Sequence, residues 1–293
     1  MTEFLQQTAS GLTTGLVYAA LALAVALVFQ GTGTLNFAQG EFATLAAFVA
    51  FALSTAGLSW WLVVPLVVVA AFVFGAGVER VLVRPVEKSG PLALLTVTAA
   101  LLLGTNAVVA LVWGTDVRSA PSPFGDGALQ LGPLTFTAQA LGGGALVLVA
   151  MVTCGLVFRF TPLGLRLRAV ADNPESAKLL GISTGLMLAV GWGIAASVGA
   201  VAGLVAAPTL GLSPELMTNA LLLALAATTL GGFSSRLGAV VGGLLVGLLS
   251  NWASRYVPGI GGDLQLVVPF AVIFLVLLVR PQGLLGRATT VRA

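Results

Sequence analysis

The chain has no histidine, one cysteine (Cys154) and two lysines (Lys88 and Lys178), and only 8% of its 293 residues are charged. Each shortage removes a class of function. Without histidine, the commonest metal ligand and the commonest general base near neutral pH are both missing. One cysteine cannot make an intrachain disulfide, and in an apolar run Cys154 reads as a small buried hydrophobe. Neither lysine stands in a G-x-x-x-x-G-K-[ST] cradle, so any nucleotide must be bound elsewhere. The charged fraction is about a third of that of a soluble domain.

Apolar residues take the place of charge: 58% of the chain is hydrophobic and its mean hydropathy is +1.07. This composition predicts an integral membrane protein, all-α, because a helix satisfies its own backbone within lipid. A net charge of +3 spread along such a chain marks cytoplasmic loops, and no nucleic-acid partner is expected. Apolar runs over 11–29, 58–78, 91–113, 140–158 and 186–208 match the ~20 residues that cross a bilayer. Runs at 37–53, 237–253 and 264–279 are slightly short. The run 219–230 is too short to span alone and is interrupted by Gly231-Gly232, so a broken helix is expected there, lining protein or a water-filled path. A single transmembrane domain over 1–293 with eight or nine membrane segments follows.

Lys and Arg set the orientation. None precedes Arg80, so the N-terminus is expected outside. The clusters Arg80/Arg84/Lys88, Arg159/Arg166/Arg168/Lys178 and Arg280/Arg287/Arg292 are then all cytoplasmic, as is the C-terminus. Trp60, Trp61, Trp113, Trp252 and Tyr256 fall at outer ends of spans. With no basic segment ahead of the first apolar run, a cleaved signal peptide is not expected. The longest external loop is 114–139, with Pro121, Pro123, Gly125 and Asp126; it is either a docking loop or a plain connector.

The cytoplasmic loop 159–183 contains the most soluble-like stretch, RAVADNPESAKLLGIST. Asn173 is a favoured N-cap, Pro174 suits the first helical position, Glu175 complements the positive helix end, and Gly181 terminates the helix in a left-handed cap. The expected helix is about seven residues long and unstable alone, so its apolar side chains, Ala177, Leu179 and Leu180, must pack on something. It is either a connector folded on its own domain or a plug for a soluble partner, with Ala177 and Leu180 entering the partner together and Glu175 and Lys178 at the rim.

Glu175, Ala177, Leu180, Gly181 and Ile182 fit the E-x-A-x-x-L-G-I form of the coupling motif of ABC importer permeases. Asn36-Phe37-Ala38-Gln39-Gly40-Glu41 is similar to an N-F-A-H-G-E segment, with Gln39 where histidine is frequent. Leu230-Gly231-Gly232 with Ser235, Gly238-Ala239 and Gly242-Gly243, and then Arg280-Pro281-Gln282-Gly283-Leu284-Leu285-Gly286, complete the pattern. Together these segments resemble the permease subunits of branched-chain amino acid ABC importers, the H-type subunits of the Liv system. The resemblance implies an importer in the cytoplasmic membrane of a bacterium. It also implies a second permease subunit as heterodimeric partner, two cytoplasmic ATPase subunits that hold ATP and magnesium, and an extracytoplasmic solute-binding protein. This chain is expected to bind no cofactor or metal and to have no catalytic residue. The residues 173–181 become the ATPase-coupling element, and Asn36, Gln39, Gly40, Glu41, Gly231 and Gly232 candidates for the translocation path.

Two other classes compete. An ion-coupled carrier of small polar solutes would place ionisable groups inside the membrane, where only Glu41 is a candidate. An intramembrane hydrolase would need a base or metal that the composition does not supply. Glu41 itself reads either as a charge at a helix N-terminus or as a path residue. Gly238/Gly242 and Gly243/Gly247 have small-xxx-small spacing and read as helix packing sites.

Overall fold

The computed structural model describes residues 2–125, 127–132, 134–257 and 267–286. The start of the 264–279 run, and Arg287 and Arg292, lie outside them. Helices dominate: α1 (Thr2–Thr32), α2 (Gln39–Thr55), α3 (Trp60–Val78), α4 (Pro91–Trp113), α5 (Ala138–Phe160), α6 (Pro162–Asp172), α7 (Pro174–Leu179), α8 (Thr184–Leu210), α9 (Thr218–Gly231), α10 (Arg236–Tyr256) and α11 (Val267–Val279). Among the described residues, six helical stretches are long and apolar enough to cross a membrane. They contain α1, α3, α4, α5, α8 and α10; α9 and α11 are shorter apolar helices. An antiparallel hairpin, β1 (Ala128–Leu131) with β2 (Leu134–Thr137), interrupts the 114–139 connection. It marks one end of the molecule, the hairpin end; α6 and α7 mark the other, the α7 end.

Local chemistry sets the helix starts. Thr137, Thr161, Asn173, Ser183 and Ser235 each accept a hydrogen bond from a backbone N–H in the first turn of the helix that follows, satisfying an otherwise orphaned donor. The same signal marks α6, an amphipathic helix absent from the sequence expectation for 159–183.

The core is built on α1 and α8, which run in opposite directions: Gly31 near the end of α1 approaches Leu188 near the start of α8. Glycine decides what packs on α1. A Cβ at Gly243 or Gly247 of α10 would fall within the backbone of Ala19 or Gly15, so the two helices touch main chain to main chain. On the other face of α10, Gly238 and Gly242 press the same way on Gly231 and Ala227 of α9. The glycine spacing therefore serves two seams within one chain. These pairings also correct the expected broken helix: α9 and α10 are two antiparallel helices folded at Gly232–Ser235, with Gly232 at φ +95.

One arrangement occurs twice. α1, a non-helical return, then α2, α3 and α4 form a set; α8, a non-helical return, then α9, α10 and α11 form another, running the opposite way. In each, the first helix packs on the second and third of the other: α1 on α9 and α10, α8 on α2 and α3. Trp60, Trp61, Trp113, Trp252 and Tyr256 all lie at the hairpin end, where Phe4 stacks on Trp252 and Arg255 pairs with Glu3.

Candidate functional site

The chain does not leave the bundle after α1. Gly33 turns at φ +70, and six residues bring it back so that Gln39, in the first turn of α2, donates through Nε2 to the carbonyl of Ala195, near the middle of α8, at 3.0 Å. Thr34, Asn36 and Ala38 of the return are buried, and it holds itself together: Asn36 Oδ1 accepts from Ala38 N at 3.0 Å, and Asn36 Nδ2 donates to Gln39 Oε1 at 3.2 Å.

The second set does the same. After α8, Gly211 (φ +81) turns the chain, Leu212 pairs with Arg118, and Pro214 offers its carbonyl to Asn106 Nδ2 at 3.1 Å. Asn106 also reaches Glu41 Oε2, at 3.4 Å. The start of α9 then sits beside the start of α2: a Cβ on Gly40 would lie 3.1 Å from the Leu221 side chain and 3.3 Å from the Met217 carbonyl. Two helix N-termini, each carrying positive partial charge, thus meet within the bundle and point away from each other. Glu41, 4% exposed, lies in the first turn of one of them.

Sequence reasoning brought Asn36, Gln39, Gly40 and Glu41 together, and the structure places them together. It missed Asn106, Glu215, Thr218 and Asn219. Glu215, Thr218, Asn219 and Leu222 are exposed and lie on one face of the start of α9, with Glu215 close enough to act electrostatically on Glu41. Their signal was a polar pair, Thr218-Asn219, opening a run too short to span. Gly231 and Gly232 are elsewhere, at the far end of α9. There the segment after α11 folds onto them: Leu284 N and Leu285 N donate to the carbonyls of Leu230 and Gly231 at 2.8 and 3.1 Å, and a Cβ on Gly232 would meet Gly286 Cα at 2.6 Å. That approach explains the lack of a side chain at Gly232; at Gly231 a Cβ would instead fall on the Gly238 backbone of α10.

At the α7 end the short helix is capped as its residues require. Asn173 Oδ1 accepts from Ser176 N at 2.9 Å, and Gly181 (φ +78) closes it, with Ile182 N donating to Ala177 O at 3.0 Å. The expected orientation is corrected: Ala177 is 2% exposed, packed within its own chain, whereas Leu179 and Leu180 are 89% and 79% exposed. Pro174, Glu175 and Lys178 are also exposed. One further carboxylate is buried just past an apolar span. Glu79, at the end of α3, is buried too and takes a two-point contact from Arg84, Nε to Oε1 at 3.2 Å and NH2 to Oε2 at 2.7 Å. Arg84 also donates to Gly185 O, which ties the α3–α4 connection to the start of α8.

Comparison with known proteins points to one family. The model of the family described as "Branched-chain amino acid transport system / permease component" matches residues 7–277. The chain is 33% identical over 298 residues to the high-affinity branched-chain amino acid transport system permease protein LivH of Escherichia coli K12, covering 97% of this chain and 96% of that one. It is 30% identical over 305 residues to the corresponding permease protein BraD of Pseudomonas aeruginosa, with the same coverage. A more distant relative is the ribose import permease protein RbsC of Haemophilus influenzae, 26% identical over 245 residues, covering 80% of this chain and 73% of that one. No solved structure matches significantly. Helices long and apolar enough to span a membrane, two returns that meet inside the bundle, and a match along nearly the whole length lead to one statement: the chain belongs to the permease-component family of branched-chain amino acid transport systems.

Proposed function

We propose that the chain is one permease half of an ATP-driven importer of branched-chain or related amino acids, completed by a second permease, two ATPases and an extracytoplasmic binding protein. The observation that carries this reading is the exposed stripe Glu215, Thr218, Asn219 and Leu222. In a membrane such side chains do not face lipid; they face another subunit or a watery path. The paired N-termini of α2 and α9 beside them suit the carboxylate of an amino acid, and Glu41 and Glu215 suit its ammonium group. α2 and α9, each completed by its return, together with α11 bring the number of membrane segments from six to nine. α7 receives an ATPase through Leu179 and Leu180.

Reconstituted with its partners, the complex is expected to take up amino acid with ATP, to continue when ion gradients are collapsed, and to stop when the ATPases are omitted. Uptake that tracks the ion gradient instead would favour the ion-coupled carrier. Glu41→Gln is expected to leave assembly intact and lower uptake about tenfold, the value of one charge-assisted contact. Unchanged uptake would reduce Glu41 to a helix-end charge.

The reading also fixes the orientation: hairpin end outside, α7 end in the cytoplasm. The basic residues described at the hairpin end, Arg118 and Arg255, are each held by a neighbour, Trp113 O and Glu3 respectively. With Cys154 replaced by serine, an impermeant maleimide on intact cells should label Glu3→Cys and not Lys178→Cys; the reverse pattern would invert the topology.

A further inference from the structure

A groove of about 1140 Å³ opens at the α7 end between α1, α5, α6 and α10. No residue assigned above to the path or to α7 lines it. Its rim carries three guanidinium groups, Arg159, Arg168 and Arg236, against one carboxylate, Asp172. None of the four is in an ion pair among the described residues. Arg236 stands in the first turn of α10, where the helix end is already positive and an acid would be the usual complement. Arg168 adds repulsion to it and Asp172 only partly compensates.

Two of the three guanidiniums are held by rings: Arg236 lies 4.6 Å from the centroid of Phe158 and Arg159 lies 5.3 Å from that of Phe160. Arg236 also donates to Gln30 Oε1 at 2.8 Å. A guanidinium stacked on a ring keeps its N–H edge available to a planar or tetrahedral oxyanion. Beyond the rim the walls are apolar, formed by Met151, Val152 and Leu156 of α5 and Val240 of α10, with Val152 and Leu156 half exposed at 51% and 50%. A helix N-terminus and three cations lacking a matching anion, at the edge of an apolar trough, describe a ligand with an anionic head and hydrocarbon tails.

We propose that this groove holds an anionic phospholipid, its phosphate among Arg159, Arg168 and Arg236 and its acyl chains along α5 and α10. A zwitterionic lipid is disfavoured because its ammonium group would add to an excess of positive charge. Arg168 and Asp172 belong to α6, which runs directly into α7, so the lipid headgroup braces the base of the coupling helix.

The test is native mass spectrometry of the full chain in detergent, with phosphatidylglycerol and phosphatidylcholine of identical acyl chains added in turn. Wild type should bind phosphatidylglycerol about thirtyfold more tightly, the ratio that two arginines near a membrane surface supply. Arg159→Gln/Arg168→Gln should abolish the preference, and Arg159→Lys/Arg168→Lys should retain most of it. Equal affinity of wild type for both lipids would overturn the proposal. So would a preference that survives the glutamine variant, or one lost equally in the lysine variant. If the glutamine variant instead released the second permease with lipid preference unchanged, the groove would be a protein interface and the proposal would fail.

Discussion

Leu179→Asp/Leu180→Asp is expected to abolish solute-stimulated ATP hydrolysis and to weaken retention of the ATPase by the assembled complex about a hundredfold. Both side chains project almost fully from a capped six-residue helix and contribute little to their own domain, so the substitution spares the fold. In a complex they would each lose solvent, and two buried leucines contribute on the order of 3 kcal/mol or more, or about a hundredfold in affinity. Aspartates there would also be buried without partners. Co-purification and hydrolysis measured together check it; normal values for both would make α7 a connector. The outcome expected for Ala177→Asp is different. Ala177 is enclosed by its own chain, so a charge there should loosen the whole α6–α8 connection and lower the yield of folded protein.

Gly247→Leu should prevent α1 and α10 from closing. A Cβ at that position falls within the backbone of Gly15, and neither helix has a flexible side chain there to yield. Overpacking a close helix seam costs roughly 1–3 kcal/mol or more where backbone itself must move. The expected result is a protein inserted in the membrane but eluting as aggregate, with a lowered thermal midpoint. By contrast, Gly77→Ala, at a helical glycine with open space around its Cβ position, should be nearly silent. Similar behaviour of the two variants would contradict the assigned contact.

The parts of this molecule legible in sequence are those whose determinants are local. Asn173-Pro174 and Gly181 announce a short helix because capping needs only neighbours in the chain. Which side of it faces inward was not legible, because six residues show too few turns for a periodicity; the sequence pointed Ala177 outward and tertiary packing turned it in. Small-xxx-small spacing announced close helices, but not that one face of α10 meets α1 and the other α9. The run 219–230 was visibly too short, yet its depth depends on Asn106 and Gly40, distant in sequence. The burial of Glu79 is not legible because it and its partner Arg84 both lie beyond the end of the apolar run 58–78. The doubled arrangement of helices is recognised by what each copy packs against, contacts that join residues distant in sequence.

The seam between α1 and α10 sets a timetable for biosynthesis. The first helix to leave the ribosome finds its backbone-to-backbone neighbour only after more than two hundred further residues have been made. Until then the flank bearing Gly11 and Gly15 stays open in lipid, with no other helix shaped to press as closely on it. Chains halted before Arg236 should therefore remain in the membrane as unfinished bundles, exposed to membrane proteases and insertion chaperones, however well their separate helices have formed. Maturation of this protein is a late event in its own synthesis, governed by the arrival of α10.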